Sequence, residues 1–269
     1  MSKVGLLAIH GMGSQKRDFA KGLFTEISDR LSKQQNRQLV TGSIFYQDIL
    51  EPNEKAYYDK TKRKLQWRNL RQFILYGFCD AASLESQKAG PTSPYFQAQK
   101  KIFDALAQMQ NSLEKNAPIV VVAQSLGCQV FSNYLWDATL SVSPSPAHGV
   151  WADPPQMSKE LEKVCRGKTI QRLYTTGCNI PIFVAGRPAA QIKAIPKPNN
   201  KFRWENYYDK DDALGWPLSE LSNSYKKLVK DKQINAGLFS GFTPLSHVNY
   251  WKDRDFLNPL AKDLKQLLS

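Results

Sequence analysis

With 269 residues, 42% hydrophobic and 11% aromatic side chains, the chain is too rich in apolar residues for a disordered segment and long enough for one large core. No run of about 18 apolar residues occurs, so no membrane-spanning helix is expected. The formal net charge of +13 raises the question of an anionic partner; the Lys and Arg residues lie dispersed over 60–71, 159–172, 193–201 and 226–232 without a nucleic-acid-binding motif, so they read as solvated surface and nucleic acid is not the expected partner.

Lys3 to His10 is an apolar run that stops at His10-Gly11-Met12-Gly13-Ser14-Gln15. It lacks a small-x-small cleavage site and runs straight into a glycine turn, so it is expected to be a core strand rather than a secretory signal, with cytoplasmic residence as the consequence. Phe19, Leu23, Phe24, Ile27 and Leu31 recur at helical spacing behind it. The glycines fit a plain strand-to-helix turn; a phosphate cradle is disfavoured because G-x-x-x-x-G-K-[ST] is absent. Leu39 to Tyr46 reads as a second strand. Residues 51–94 are polar, basic and aromatic, with helical stretches around Tyr57 to Leu75, and Tyr57, Tyr58, Trp67, Phe73, Tyr76 and Phe78 either line a cleft or pack as ordinary core. Tyr95 to Lys115 is an amphipathic helix that ends at Asn116 and Pro118.

Ile119 to Ala123 has no polar alternation, as expected of a strand covered on both faces in a parallel sheet. It breaks at Gln124-Ser125-Leu126-Gly127, after which Val130, Phe131, Tyr134, Leu135 and Ala138 fall at helical spacing. A strand, a very tight turn and a returning helix are what G-x-S-x-G needs, because the turn lifts the serine hydroxyl above the sheet and demands small neighbours. Ala123 stands where the first glycine is usual, and Gly127 is the second. Ser125 could also simply cap the helix. With these residues the chain resembles the α/β-hydrolase family. The resemblance implies a three-layer α/β fold, a mostly parallel sheet flanked by helices, in a single domain 1–269 with 51–94 as a lid or cap insertion. It further implies that Ser125 is a nucleophile, and that the backbone N–H groups of Met12 and Leu126 form an oxyanion hole.

Past the elbow helix, 141–155 is a Pro- and Ser-rich loop, Met157 to Cys165 a short helix, Thr169 to Thr175 a further strand, and Gly177 to Val184 chain near the sheet. Lys201 to Tyr208 reads as a late strand, followed by Asp209-Lys210-Asp211-Asp212-Ala213-Leu214. The spacing of Trp204, Asn206, Asp209, Asp212 and Leu214 resembles a stretch of such hydrolases and favours Asp212 as the triad acid, with Asp211 and Asp209 behind it. Aspartates there also cap turns. Of three histidines, His10 lies in the glycine loop and His148 in a Pro-rich loop, leaving His247 in Ser246-His247-Val248-Asn249-Tyr250-Trp251 before a final helix. The order Ser125, Asp212, His247 is that of α/β-hydrolases.

The four cysteines, Cys79, Cys128, Cys165 and Cys178, are widely spaced without C-x-x-C, which argues for reduced thiols and against a zinc site. The expectation is therefore a serine hydrolase acting on a small ester or acyl substrate without metal or organic cofactor. An acyltransferase or thioesterase with the same triad, and a non-catalytic protein holding an anionic partner, are the alternatives.

Overall fold

A computed structural model describes residues 3–86, 90–141, 147–236, 247 and 249–269. Six strands form one parallel sheet: β1 (Val4–Ile9), β2 (Leu39–Ile44), β3 (Ile119–Gln124), β4 (Ile170–Thr176), β5 (Arg203–Asp209) and β6 (Val229–Ile234), in the order β2-β1-β3-β4-β5-β6. Two neighbouring interior strands, β1 and β3, explain the layering. Side chains alternate faces along a strand, and here both faces are apolar: Val4, Leu6 and Ala8 of β1 join Val120 and Val122 of β3 in one cluster, while Leu7 and Ile9 join Ile119, Val121 and Ala123 in the other. The first cluster is closed by α1 (Lys21–Ser28) and α10 (Arg254–Leu268). The second is closed by α5 (Pro94–Gln110) and α6 (Leu126–Leu140). A helical layer on each side of a parallel sheet follows from burial on both faces.

Between β2 and α5 stand two further helices, α3 (Glu51–Thr61) and α4 (Arg68–Ser86), which occupy the segment expected to be inserted. Gly177 to Val184 leaves the end of β4 beside the sheet: Gly177 turns the chain at φ 53° and Ile180–Val184 forms the short helix α8, with Pro181 in its first turn, where a missing N–H costs nothing. Two elements depart from the sequence-based expectation. The helix α2 (Lys33–Gln38) was not anticipated; its six residues carry no apolar stripe and are started by a Ser32–Gln35 capping box. β6 was not anticipated either, because Val-Lys-Asp-Lys-Gln-Ile is a charged edge strand, the kind that guards a sheet against pairing with other chains. Among the described residues there are also the short helices α7 (Lys159–Cys165) and α9 (Asn223–Leu228). Residues 142–146 of the Pro- and Ser-rich loop, and 237–246 of the approach to His247 including Ser246, lie outside the described residues.

Candidate active site

Ser125 sits where β3 ends and α6 begins, at φ 51° and ψ −124°. A positive φ in a residue with a Cβ costs about 1–3 kcal/mol and persists only where its surroundings enforce it. Here the enforcement is visible. The Ser125 N–H donates to the Thr176 carbonyl on β4 (3.0 Å), and α6 passes so close to β1 that a Cβ on Gly127 would lie 2.3 Å from the His10 carbonyl oxygen. Gly127 is therefore obligatory, whereas Ala123 is an ordinary buried strand residue whose methyl belongs to the core. The helix-cap alternative fails for Ser125, because its side chain makes no capping hydrogen bond. Its Oγ is buried and has no hydrogen-bond partner among the described residues.

The glycine loop after β1 lies directly against the serine: a Cβ on Gly11 would approach Ser125 Cβ to 2.7 Å. His10 holds this loop from below. Its Nε2 accepts from the Tyr46 N–H (3.1 Å), which leaves Nδ1 to donate to the Gly11 carbonyl (2.6 Å), and its ring stacks on Tyr46 at 4.1 Å. Burial lowers the imidazole pKa to about 4, so His10 is neutral and structural. The Tyr46 hydroxyl donates to the carbonyls of His10 and Gly11. From above, the Gly13 N–H donates to Asp80 Oδ2 on α4 (3.0 Å). Leu126 is the first residue of α6, so its N–H has no acceptor within the helix.

Asp80 is fully buried, and burial lifts its carboxyl to about 6 although the Gly13 N–H draws it down. Beside it, Glu54 on α3 is pushed up to about 8 by burial and by the neighbouring Asp80. Near neutral pH one proton is thus held on Glu54 while Asp80 stays ionised and accepts from the loop.

On the other side of Ser125, the described residues bring together the carboxylate and imidazole singled out in the sequence. His247 Nδ1 lies 2.8 Å from Asp212 Oδ2. The same oxygen accepts from the Tyr250 hydroxyl (2.8 Å), and Oδ1 accepts from the Leu214 N–H (2.9 Å). Burial raises the Asp212 carboxyl, but the His247 bond and charge, with the Leu214 and Tyr250 donors, outweigh it and hold the group below its usual range. Of the three aspartates only Asp212 bonds His247 among the described residues. Asp209 accepts from the N–H groups of Asp211 and Ala236, closing a turn and tying the end of β5 to the chain after β6, and Asp211 is exposed. The remaining positions of the sequence stretch are props: Trp204 Nε1 donates to Thr175 Oγ1, which donates to Asn206 Oδ1, and Asn206 Nδ2 donates to Asp231 and to the Trp216 carbonyl.

His247 is seated by two contacts. The Gln124 side chain, next to Ser125, donates to the His247 carbonyl at 2.7 Å, and the ring rests against Gly177, where a Cβ would come within 3.0 Å of Nδ1 and 2.9 Å of the Tyr250 ring. His247 Nε2 is buried and, like Ser125 Oγ, has no hydrogen-bond partner among the described residues. Both residues line one cavity of about 300 Å³, together with His10, Gly11 and Met12, and with Phe19 and Trp251 as its apolar wall. His148 lies elsewhere, 3.5 Å from Asp137 on α6. A larger depression of about 610 Å³ runs along α1 and β2 and contains none of these residues.

Of the aromatics that either line a cleft or pack, Tyr58 and Tyr76 are buried against each other at 6.3 Å, and Tyr57, Trp67 and Phe78 are exposed away from this cavity; the Phe73 side chain lies outside the described residues. Tyr250, noticed only as part of a local pattern, is the residue that joins the Asp212 turn to the chain after His247. All four cysteines are free thiols, and among the described residues no group of three or more His, Cys, Asp or Glu side chains could hold a metal ion. No described helix is long and apolar enough to cross a membrane. No family model matches the chain, and no curated protein matches it.

Proposed function

We propose that the chain is an α/β-hydrolase-type serine hydrolase that cleaves small carboxylic esters through an acyl-enzyme. What supports this most directly is a pair of buried atoms without a partner among the described residues, Ser125 Oγ and His247 Nε2, on one cavity, with Asp212 held on the far nitrogen of the imidazole. Buried polar atoms without partners are rare and costly, and a donor and an acceptor facing the same space are matched to a guest that completes them. The Asp212 bond fixes the tautomer with the proton on Nδ1, which leaves Nε2 as the base.

In the reaction, Ser125 Oγ attacks the ester carbonyl as its proton passes to His247 Nε2. The oxyanion is received by the N–H groups of Met12 and Leu126, and Asp212 stabilises the imidazolium. His247 returns the proton to the departing alcohol. Water then adds to the acyl group, again giving up its proton to His247, and the carboxylic acid leaves as Ser125 regains its hydrogen. A cavity of about 300 Å³ lies at the small end of ligand pockets and favours short acyl and alcohol groups.

The test is labelling by a fluorophosphonate and hydrolysis of short p-nitrophenyl esters. Wild type is expected to be labelled at Ser125 and to turn over; Ser125→Ala is expected to fold and do neither. Labelling at another residue, or unchanged in Ser125→Ala, refutes the assignment. Asp212→Asn is expected to cost on the order of a thousandfold or more in kcat, Asp211→Asn nothing measurable.

A further inference from the structure

We propose that the outer face of the α3–α4 insertion is a docking surface for anionic phospholipid membranes. Along α4 and its first preceding residue, Trp67, Leu70, Ile74 and Phe78 recur at three- and four-residue spacing, which puts them on one strip of the helix. They are 75%, 49%, 44% and 74% exposed. With Tyr57 of α3 they make up five of the seven large hydrophobic side chains exposed among the described residues, so the apolar surface is concentrated and not scattered. The strip is fixed outward, because the opposite face of α4 is committed: Tyr76 and Asp80 are buried, and Gly77 lies against Met12.

The charge around the strip selects the partner. From Lys60 to Arg71 the chain carries six Lys or Arg and no Asp or Glu. Arg63, Lys64, Arg68 and Arg71 are exposed. A helix with Trp, Phe, Leu and Ile on one side and cations beside them matches a bilayer boundary, where the apolar residues enter the acyl edge and the cations meet anionic headgroups. A nucleic-acid partner would use the cations but has no place for exposed Leu70 and Ile74. Trp67 adds a further point: its indole is left in water, and indoles favour the headgroup level of a bilayer.

The experiment is co-sedimentation of the full chain with extruded phosphatidylcholine vesicles, with and without one-third phosphatidylserine, at low and high salt. Partitioning is expected only onto the anionic vesicles and to fall with salt. Arg63→Ala, Lys64→Ala and Arg68→Ala are each expected to weaken it about fivefold. Trp67→Ala and Phe78→Ala are each expected to weaken it about tenfold or more while leaving the melting curve within a degree or two of wild type. Absence of binding to anionic vesicles, equal binding to neutral ones, or indifference to these substitutions overturns the proposal. Concentration-dependent dimerisation abolished by Phe78→Ala would assign the face to a second copy instead, and salt-sensitive binding of RNA without lipid binding would assign it to nucleic acid. Ester hydrolysis is not read in this experiment, so its outcome does not depend on Ser125.

Discussion

Tyr250 donates its hydroxyl hydrogen to Asp212 Oδ2 at 2.8 Å, on the oxygen that also faces His247, and accepts from the Asp209 N–H at 2.9 Å. Burial and the charge of Asp212 push the phenol far above its usual range, so it stays a donor at every working pH. Tyr250→Phe removes one of the bonds that hold the Asp212 carboxylate and leaves a buried N–H unpaired. The expected result is a loss of about tenfold in kcat with KM little changed, and a destabilisation of about 1–3 kcal/mol in denaturant titration.

Ser125 stores backbone strain at φ 51° without a capping bond in return. Ser125→Gly is therefore expected to raise the melting temperature by about 2–4 °C, since glycine adopts this conformation freely and the strain amounts to about a kcal/mol or more. Esterase activity is expected to vanish in the same protein. A melting temperature that fell would mean that the serine side chain contributes to the fold in a way the strain argument leaves out.

Gly177 combines φ 53° with near-contact of its missing Cβ on both His247 and Tyr250. Gly177→Ala is expected to displace the imidazole and cost about 1–2 kcal/mol from the left-handed conformation alone. The measurement is kcat/KM beside thermal stability. The fall in activity is expected to exceed about a hundredfold, because even an ångström of misplacement is felt by the chemistry.

Glu54 gives the fold a pH dependence with a defined sign. Its carboxyl is raised to about 8 in the folded chain from an ordinary 4.5, so the folded state binds the proton more tightly than the unfolded one. Stability from this group is fully present below about pH 4.5 and is lost as pH rises through about 8. Asp80, raised to about 6, adds the same sign over a lower window. Melting temperature is expected to decline from neutral to pH 9 in wild type and to decline less in Glu54→Gln. An equal decline in both would remove Glu54 as the cause.

Much of the site was legible from local chemistry. The elbow declared itself because a buried strand and a helix can be joined this tightly only by small residues around Ser125. His247 was singled out among three histidines, and His10 and His148 prove to be engaged with Tyr46 and Asp137. Spacing favoured Asp212 over Asp209 and Asp211 but left all three at a strand end, and it is their hydrogen-bond partners that tell them apart. β6 and α2 escaped notice because charged or polar residues carry no periodic signal. For the aromatics of 57–78 the sequence left cleft and packing open, because helical spacing puts residues on a common face without saying which way that face looks.

The strand order carries one more consequence. From β1 the chain moves outward to β2 on one side, then returns to build β3 to β6 on the other. The loops leaving β1 and β3 therefore part company at a topological switch point, and a crevice opens there as a by-product of winding, before any side chain is chosen. Ser125 and the glycine loop occupy that crevice, so a chain stripped of the Ser125 hydroxyl would still present a pocket ready for a small guest.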